Sequence, residues 1–273
     1  MHPVLFEAGG FTLYTYGALL AASYLIGLRF ALVRAQRRGL DAARVMDLGI
    51  WIIVSALIGA KVLLVVVDWP RVSGPGSLLG FARAGGVFYG GLIAAVATGI
   101  WYVRRYGLPI WSTGDVFAPA IALGHVVGRF GCLMAGCCYG RPTSMPWGIT
   151  FHSQEAAANV GTVLGVPLHP TQLYDAGAEL LILALLLWSE RRTAARGERA
   201  FAGRTFWSYI LLYGAARFII EFYRGDARGM IAGVVSTSQF VALLLVPIAV
   251  FMLIRLRASH APIPDAGVRA RAA

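Results

Sequence analysis

Seven long runs of apolar residues, separated by shorter polar connections, dominate the pattern along the chain. Most are close to the roughly 20 residues that an α-helix needs to cross the hydrocarbon core of a bilayer. Because several are shorter, those helices must tilt or the bilayer must thin around them. The runs cover residues 11–28, 48–67, 86–103, 115–133, 172–188, 205–223 and 231–254. This pattern predicts an all-α polytopic membrane protein with seven transmembrane helices.

The composition points to the same class of protein. Hydrophobic residues make up 58% of the 273 residues and charged residues only 14%, whereas a soluble domain carries roughly 25% charged residues. A disordered chain is excluded because it would be polar and rich in charge. Three cysteines are too few for a disulfide scaffold.

The net charge of +11 indicates orientation in the bilayer rather than nucleic-acid binding. Only one of the 24 basic residues is a lysine, and the arginines cluster after the first, third, fifth and seventh runs. Since cytoplasmic connections collect basic residues, we predict an N-terminus outside and a cytoplasmic C-terminus. The first ten residues contain no lysine or arginine, so we expect no cleavable signal peptide.

The expected organisation is one helical domain with a short tail. We expect residues 1–254 to form a single transmembrane domain, with an ordered extracytoplasmic loop at about 140–170. Residues 255–273 form a basic segment, predicted to be a cytoplasmic tail that contacts anionic lipid.

The sixth run contains the sharpest cluster of polar residues. Tyr213, Arg217, Glu221 and Arg224 follow the spacing i, i+4, i+8, i+11, which places them on one helical stripe. A charge at the middle of a transmembrane helix costs about 2.5–3.5 kcal/mol. Arg217 and Glu221 can pair, either as a self-satisfied pair or with Arg224 leaving a spare positive charge. A spare guanidinium would suit a phosphate.

Residues 124–140 form a glycine-rich segment that begins near the middle of the fourth apolar run. His125 and Arg129 lie one turn apart, and Arg129 is either a snorkelling arginine or a ligand-binding one. The segment also holds all three cysteines, Cys132, Cys137 and Cys138. They leave open a disulfide from Cys132, a metal site shared with His125, or close packing in a turn. Because Cys-x4-Cys-Cys is not a standard zinc spacing, no metal is predicted.

Three further segments stand out, and the last of them carries more polar side chains than a helix cap needs. They are Tyr14-Thr15-Tyr16-Gly17, Phe88-Tyr89-Gly90-Gly91-Leu92 and His169-Pro170-Thr171-Gln172-Leu173-Tyr174-Asp175. The first is typical of an interfacial aromatic belt, and paired glycines in the second permit close helix contact. The third begins a helix with proline at the first position.

Together these segments resemble the prolipoprotein diacylglyceryl transferase family of bacterial inner membranes. The resemblance rests on the Gly-Arg-x-Gly motif at Gly128–Gly131 closing with Gly140, on His169–Asp175, and on Tyr213–Arg224. It implies transfer of a diacylglyceryl group from phosphatidylglycerol to the lipobox cysteine of a prolipoprotein signal peptide. The product would be a thioether, the first step of lipoprotein maturation. Phosphatidylglycerol, prolipoproteins and membrane lipid would be the partners, with no cofactor and no nucleic acid.

The resemblance also implies roles for individual residues. Arg129 matches the arginine associated with the phospholipid headgroup, Arg217 a second essential arginine and Glu221 its acidic companion. Tyr16 matches a functional tyrosine, and Lys61 falls where relatives tend to have a basic residue. The predicted catalytic residues are Arg217, His125 and Tyr89, and the predicted substrate-binding residues are Arg129, Tyr16, Glu221, Arg224, Lys61, His169, Gln172 and Tyr174.

The chain departs from many relatives at three positions. Tyr89 stands where they have a histidine that has been proposed as catalytic, and Cys132 and Cys137 stand where they have Asn and Glu. His125 then either takes over as proton acceptor or is a buried histidine bonded to a backbone carbonyl. Tyr89 could instead orient the phosphate by a hydrogen bond.

Two other functions fit part of the pattern. A membrane thiol–disulfide protein would use Cys132, Cys137 and Cys138, but it leaves Arg217 and Glu221 unexplained. An anion transporter would line its path with arginines, but transporters often show internal repeats, and the sequence shows none.

Overall fold

The computed structural model describes residues 2–9, 11–69, 86–197, 200–226, 229–231 and 233–259. These residues form eight helices: α1 (Thr15–Arg37), α2 (Ala42–Val67), α3 (Phe88–Arg105), α4 (Ile110–Ala135), α5 (Gln154–Val160), α6 (Thr171–Ala195), α7 (Arg204–Glu221) and α8 (Thr237–Ser259). They also form three antiparallel two-stranded hairpins: β1 (Val4–Ala8) with β2 (Phe11–Tyr14), β3 (Ile149–Thr150) with β4 (Pro167–Leu168), and β5 (Met230–Ile231) with β6 (Val235–Ser236). The predicted helical class is confirmed, with these small hairpins added.

Among the described residues, five helices are long and apolar enough to cross a membrane, namely α1, α2, α4, α6 and α8. The other two long helices, α3 and α7, have 18 residues each. Every predicted apolar run therefore contains or overlaps a long helix.

Several helices extend beyond the predicted apolar runs. Helix α1 continues to Arg37, α6 continues to Ala195, and α8 continues to Ser259. Arginine and alanine are good helix formers, so these helices continue past the point where hydropathy falls. The expected tail therefore begins as helix, and residues 260–273 lie outside the described residues.

The chain divides into two compact units, which are described separately. The first comprises Met1–Gly27 with Phe117–Ala273, and the second comprises Leu28–Val116. In the second unit, the turn between α1 and α2 places Gly39 at a φ of 67°. The Asp41 side chain then caps α2 by accepting hydrogen bonds from the backbone N–H groups of Ala43 and Arg44.

Helices α2 and α3 of the second unit pack backbone against backbone. A Cβ atom added at Gly90 would lie 2.3 Å from the Gly59 carbonyl oxygen and 2.5 Å from the Cβ atom of Leu63. A Cβ added at Gly59 would lie 2.4 Å from the Cβ atom of Ala94. The predicted close contact through the glycines of the third run is thus confirmed.

In the first unit, the connection between α4 and α6 is ordered by main-chain hydrogen bonds. The Gly140 N–H donates to the His169 carbonyl at 2.9 Å, and the His169 N–H donates to the Arg141 carbonyl at 2.9 Å. The Arg141 N–H donates to the Tyr223 carbonyl at 2.8 Å. Three segments that are distant in sequence therefore meet at Gly140, where an added Cβ would lie 2.5 Å from that of His169.

The crossing of α2 and α3 generates a stability prediction. We expect Gly90→Ala to lower the free energy of unfolding by about 1–3 kcal/mol, because the added methyl group overpacks a backbone contact. The measurement is thermal or denaturant unfolding of the purified protein in detergent.

Gly99→Ala on the same helix is the matched control. A Cβ at Gly99 meets only Ile52 Cδ1 at 3.8 Å, an ordinary contact distance, and alanine favours helix over glycine. Equal stability of the two variants would contradict the close packing at Gly90.

Candidate functional site

Two arginines of the first unit share one buried aspartate. Nη2 of Arg129, on α4, lies 3.2 Å from Oδ2 of Asp175 on α6. Nη1 of Arg224 lies 3.4 Å from the same oxygen. Arg224 also donates a fork of two 2.8 Å hydrogen bonds to the carboxylate of Asp226. Only 4% of the Asp175 side chain is exposed, so this carboxylate balances positive charge in a water-poor place.

The Nε donor of Arg129 takes no part in the pairing with Asp175, which uses Nη2. This Nε is buried and has no hydrogen-bond partner among the described residues. A buried donor without a partner costs roughly 1–3 kcal/mol, and unpaired groups of this kind often mark functional positions. Arg129 therefore retains hydrogen-bonding capacity for an anion after its pairing with Asp175.

A second acid–base pair lies one helical turn away. Nδ1 of His125 lies 2.5 Å from Oε1 of Glu179, and the Tyr209 hydroxyl donates to the same oxygen at 3.4 Å. His125 precedes Arg129 by four residues on α4, and Glu179 follows Asp175 by four on α6. The two helices thus face each other through two matched acid–base pairs.

The side chain of Tyr213 lies close to His125, Arg129 and Arg217. The ring of Tyr213, on α7, lies 5.7 Å from that of His125 and stacks on Tyr209 at 5.8 Å. Its hydroxyl is close enough to Arg129 and Arg217 to interact with both charges. Tyr213 therefore connects the His125 and Arg129 surroundings to those of Arg217.

The predicted pairing within α7 is confirmed. Nη2 of Arg217 lies 2.5 Å from Oε2 of Glu221 and 3.3 Å from the Ser238 hydroxyl. The predicted helical stripe, however, ends at Glu221, where α7 ends. Arg224 follows the helix and is paired with Asp175 and Asp226. The prediction of a spare positive charge on this stripe is therefore wrong, because carboxylates from outside the stripe balance it.

The three cysteines converge at the end of α4. Their Sγ atoms all lie within 4.8 Å of one another, and no disulfide joins these three residues, all of which the structure describes. Gly136 has a φ of 75° and Cys138 a φ of 62°. A left-handed conformation costs a residue other than glycine on the order of 1–3 kcal/mol. The backbone therefore accepts strain in folding Cys138 back towards Cys132.

Charged and polar neighbours act on the Cys138 thiol. Hydrogen bonds from the thiols of Cys132 and Cys137 lower the pKa of Cys138 from its ordinary value. The positive charges of Arg224 and Arg129 lower this pKa further. Burial acts in the opposite direction, so the two guanidiniums offset part of the cost of negative charge on the Cys138 sulfur.

The start of α6 holds the cysteine turn in place. The Thr171 hydroxyl donates to the Cys138 carbonyl at 2.7 Å, and the Gln172 amide donates to the Cys137 carbonyl at 2.8 Å. The side-chain oxygen of Gln172 has no hydrogen-bond partner among the described residues. The amide group of Gln172 thus supports the backbone, and only its oxygen remains available to a ligand.

His169 and Tyr174 form an aromatic cluster with Trp147 and Tyr223. Nδ1 of His169 lies 3.0 Å from the Tyr174 hydroxyl, which accepts a 2.7 Å hydrogen bond from Trp147 Nε1. The Tyr223 ring lies 5.3 Å from that of His169. His169 therefore lies in the connection around Gly140, and Tyr174 lies beside it in the first turn of α6.

The remaining predicted residues are divided between the units. Tyr16, in the first turn of α1, lies beside Gly131 and the three thiols. Lys61 lies on α2 beside apolar side chains of the same helix, including Leu57 and Val62. Tyr89 lies in the first turn of α3, and both residues belong to the second unit.

Sequence reasoning missed the carboxylates of α6. Asp175 only ends the segment that begins at His169, and Glu179 belongs to none of the sequence motifs. Both are acidic residues inside a predicted transmembrane run, so the rule that drew attention to Arg217 would also have found them.

A protein-family model described as "Prolipoprotein diacylglyceryl transferase" matches residues 3–255. The chain belongs to the prolipoprotein diacylglyceryl transferase family. This membership confirms the resemblance predicted from the motifs. It gives no support to the redox or transporter interpretations.

Members of the transferase family in several bacteria align with almost the whole chain. A phosphatidylglycerol–prolipoprotein diacylglyceryl transferase of Clostridium tetani is 33% identical over 252 residues, covering 92% of this chain and 96% of the relative. One of Geobacillus kaustophilus is 34% identical over 256 residues, covering 93% and 92%. A Clostridium perfringens protein carrying the same name with the number 2 is 30% identical over 251 residues, covering 90% and 91%.

Asp175 is the carboxylate whose loss this geometry makes most costly. We expect Asp175→Asn to lower the free energy of unfolding by about 3 kcal/mol, because two largely buried guanidiniums lose a shared counter-charge. Unfolding in detergent measures the effect.

Asp41→Asn is the control for this substitution. It changes an exposed carboxylate that caps α2, and asparagine caps a helix as well as aspartate. A stability equal to wild type for Asp175→Asn would show that Arg129 and Arg224 do not depend on this carboxylate.

Proposed function

We propose that this chain transfers the diacylglyceryl group of phosphatidylglycerol to the thiol of a prolipoprotein lipobox cysteine. The reaction forms a thioether and releases glycerol phosphate. The relatives that carry this activity in their names align over at least nine-tenths of this chain. The observation that carries the proposal is the buried Nε of Arg129, a donor without a partner among the described residues.

The reaction needs two aids from the protein. A free thiol has a pKa of about 8.5, so the nucleophilic thiolate is a minority species at neutral pH. The leaving group is a phosphate ester, and negative charge builds on its oxygen as the carbon–oxygen bond breaks. Cations held in a water-poor site stabilise that charge more strongly than they would in water.

In this scheme, Arg129 binds the phosphate of phosphatidylglycerol. A guanidinium presents several donors in a rigid fork, and two adjacent donors match two phosphate oxygens. Asp175 uses one donor nitrogen of Arg129 and also holds Arg224 nearby. Arg217, paired with its companion Glu221, is a second guanidinium whose charge acts on Tyr213.

His125 is the proposed proton acceptor. Its Nδ1 faces Glu179, so its Nε2 is the atom available to take a proton. Glu179 fixes the orientation of the ring and stabilises the imidazolium that forms. Arginine cannot perform this step because its guanidinium stays protonated.

Other predicted residues have supporting roles in this scheme. Tyr16 lies beside the thiols, and His169, Gln172 and Tyr174 lie around the cysteine turn and Gly140. We assign them to substrate binding. Lys61 and Tyr89 belong to the second unit, and their assignment to headgroup recognition rests on the family resemblance alone.

We also propose that all seven long helices cross the bacterial inner membrane, with the N-terminus outside. Basic residues occupy the last turn of α1, α3, α6 and α8 and are absent from the last turn of α2, α4 and α7. This alternation matches the enrichment of arginine on the cytoplasmic side. A fluorescent protein fused after residue 259 should fluoresce in the cytoplasm. A signal from the periplasm would contradict the proposed orientation.

A reconstituted assay tests the proposed function. The purified protein, in nanodiscs containing phosphatidylglycerol, should add one diacylglyceryl group to the cysteine of a synthetic lipobox peptide. Mass spectrometry detects the adduct, and a peptide with serine in place of cysteine should remain unmodified. Absence of the adduct, while the Clostridium tetani relative forms it under the same conditions, would contradict the proposal.

Loss of the His125 imidazole should slow transfer. We expect His125→Gln to lower the rate by about 100-fold or more, because a positioned general base contributes 10²–10⁴-fold. The rate of adduct formation is the measurement, at saturating phosphatidylglycerol.

His152→Gln, which changes an exposed histidine, is the matched control and should retain the wild-type rate. A wild-type rate for His125→Gln would remove His125 from the mechanism.

A further inference from the structure

The three-cysteine cluster is a group of nucleophilic side chains that the proposed mechanism does not use. Cys132, Cys137 and Cys138 are all the cysteines of the chain. Their sulfur atoms lie within 4.8 Å of one another, although their spacing in sequence matches no standard zinc motif. The convergence arises because the end of a helix and a left-handed turn bring them together.

The backbone around the cluster is organised to hold these side chains. The Cys137 N–H donates to the Cys132 carbonyl. Gln172 donates a hydrogen bond to the Cys137 carbonyl, and Thr171 donates one to the Cys138 carbonyl. Cys138 adopts a left-handed conformation that glycine would adopt without strain. Simple packing needs no side chain at such a position, so a ligand role explains why a thiol stands there.

The geometry suits a zinc ion with one position open. Zn²⁺ binds thiolate sulfur at about 2.3 Å, which places two sulfurs of a tetrahedral site about 3.8 Å apart. The sulfur separations, at most 4.8 Å, exceed that value by no more than about 1 Å. Among the described residues, no histidine or carboxylate belongs to the group, and Nδ1 of His125 is bound to Glu179. Three protein ligands with an open fourth position are typical of catalytic zinc.

The charge balance favours zinc over copper(I), the other metal that thiolates select. Three thiolates with Zn²⁺ carry a net charge of −1, and with Cu⁺ they carry −2. Arg129 and Arg224 both interact with Cys138, and each is already paired with a carboxylate. The smaller excess of negative charge is therefore the easier one to hold in this site.

We propose that Cys132, Cys137 and Cys138 bind one zinc ion, whose fourth coordination position takes the sulfur of the lipobox cysteine. This inference rests on the proposed function for the identity of the fourth ligand. It departs from the sequence-based expectation of no metal, because the sequence spacing did not show that the three thiols meet.

Zinc would supply the activation that the thiol needs. A thiol that coordinates zinc would lose its proton, and His125, the proton acceptor proposed above, would receive it. The bound sulfur then forms the bond to the glyceryl carbon, while the carbon–oxygen bond breaks with its electron pair on the phosphate. That phosphate, now a monoester, takes the proton from His125. The neutral thioether is a weaker ligand and leaves the metal.

Metal content is the first test. The protein, purified under reducing conditions and supplied with zinc, should contain one zinc per chain by mass spectrometry of the metal. Cys132→Ala, Cys137→Ala and Cys138→Ala should each lower this occupancy at least tenfold. Met134→Leu changes a sulfur-containing residue in the same segment outside the cluster, and it should retain full occupancy.

Cobalt substitution tests the fourth ligand without requiring turnover. The Co²⁺ form should show thiolate-to-cobalt charge-transfer bands and the visible bands of tetrahedral cobalt. Adding a lipobox peptide should strengthen the charge-transfer bands, and the peptide with serine in place of cysteine should leave them unchanged. Removal of zinc by a chelator should lower the rate of transfer at least 100-fold, and added zinc should restore the rate.

The outcomes separate this inference from the proposed function. If the protein contains no metal, the zinc site is overturned whatever the transfer activity. This holds both when all three thiols react with a thiol reagent and when two of them are lost to a disulfide. Coordination of the substrate thiol is overturned if zinc is bound but the cobalt spectra do not change when the cysteine peptide is added. It is also overturned if zinc is bound but chelation leaves the rate of transfer unchanged. Thiol-dependent spectra without any transfer would support the zinc site and contradict the proposed function alone.

Discussion

The shared carboxylate of Asp175 is the interaction on which the site depends. Arginine side chains are expensive to bury in a transmembrane bundle unless an opposite charge and good hydrogen bonds accompany them. Asp175 meets this requirement for Arg129 and Arg224 with a single oxygen atom. Because one oxygen serves two guanidiniums, donors remain for another anion, and the Nε of Arg129 is one of them.

Helix α6 links this interaction to the rest of the chemistry. Its first turn holds the cysteine turn through Thr171 and Gln172, its second turn presents Asp175, and its third presents Glu179 to His125. A phosphate-binding arginine, a proton acceptor and a cluster of thiols are therefore positioned by one element. Displacing that helix would affect all three at once.

Hydropathy predicted where the long helices lie, because apolar runs report the buried and lipid-facing parts of a helix directly. It misplaced several helix ends, since arginine-rich turns continue a helix without being apolar. Local spacing predicted the Arg217–Glu221 pair, which lies within one helix. Pairings between helices, such as Arg129 with Asp175, depend on how elements pack and could not be read from spacing. The convergence of the cysteines was hidden likewise, because it depends on the left-handed backbone at Cys138.

The most direct test is the affinity for a short-chain phosphatidylglycerol, measured by calorimetry in detergent. Arg129→Lys keeps the charge beside Asp175 but loses the fork of donors. If Arg129 binds the phosphate, this variant should bind at least about tenfold more weakly, a difference of about 1.4 kcal/mol. The exposed Arg191→Lys substitution on α6 should bind as wild type does. Equal affinity of Arg129→Lys and the wild-type protein would contradict the account.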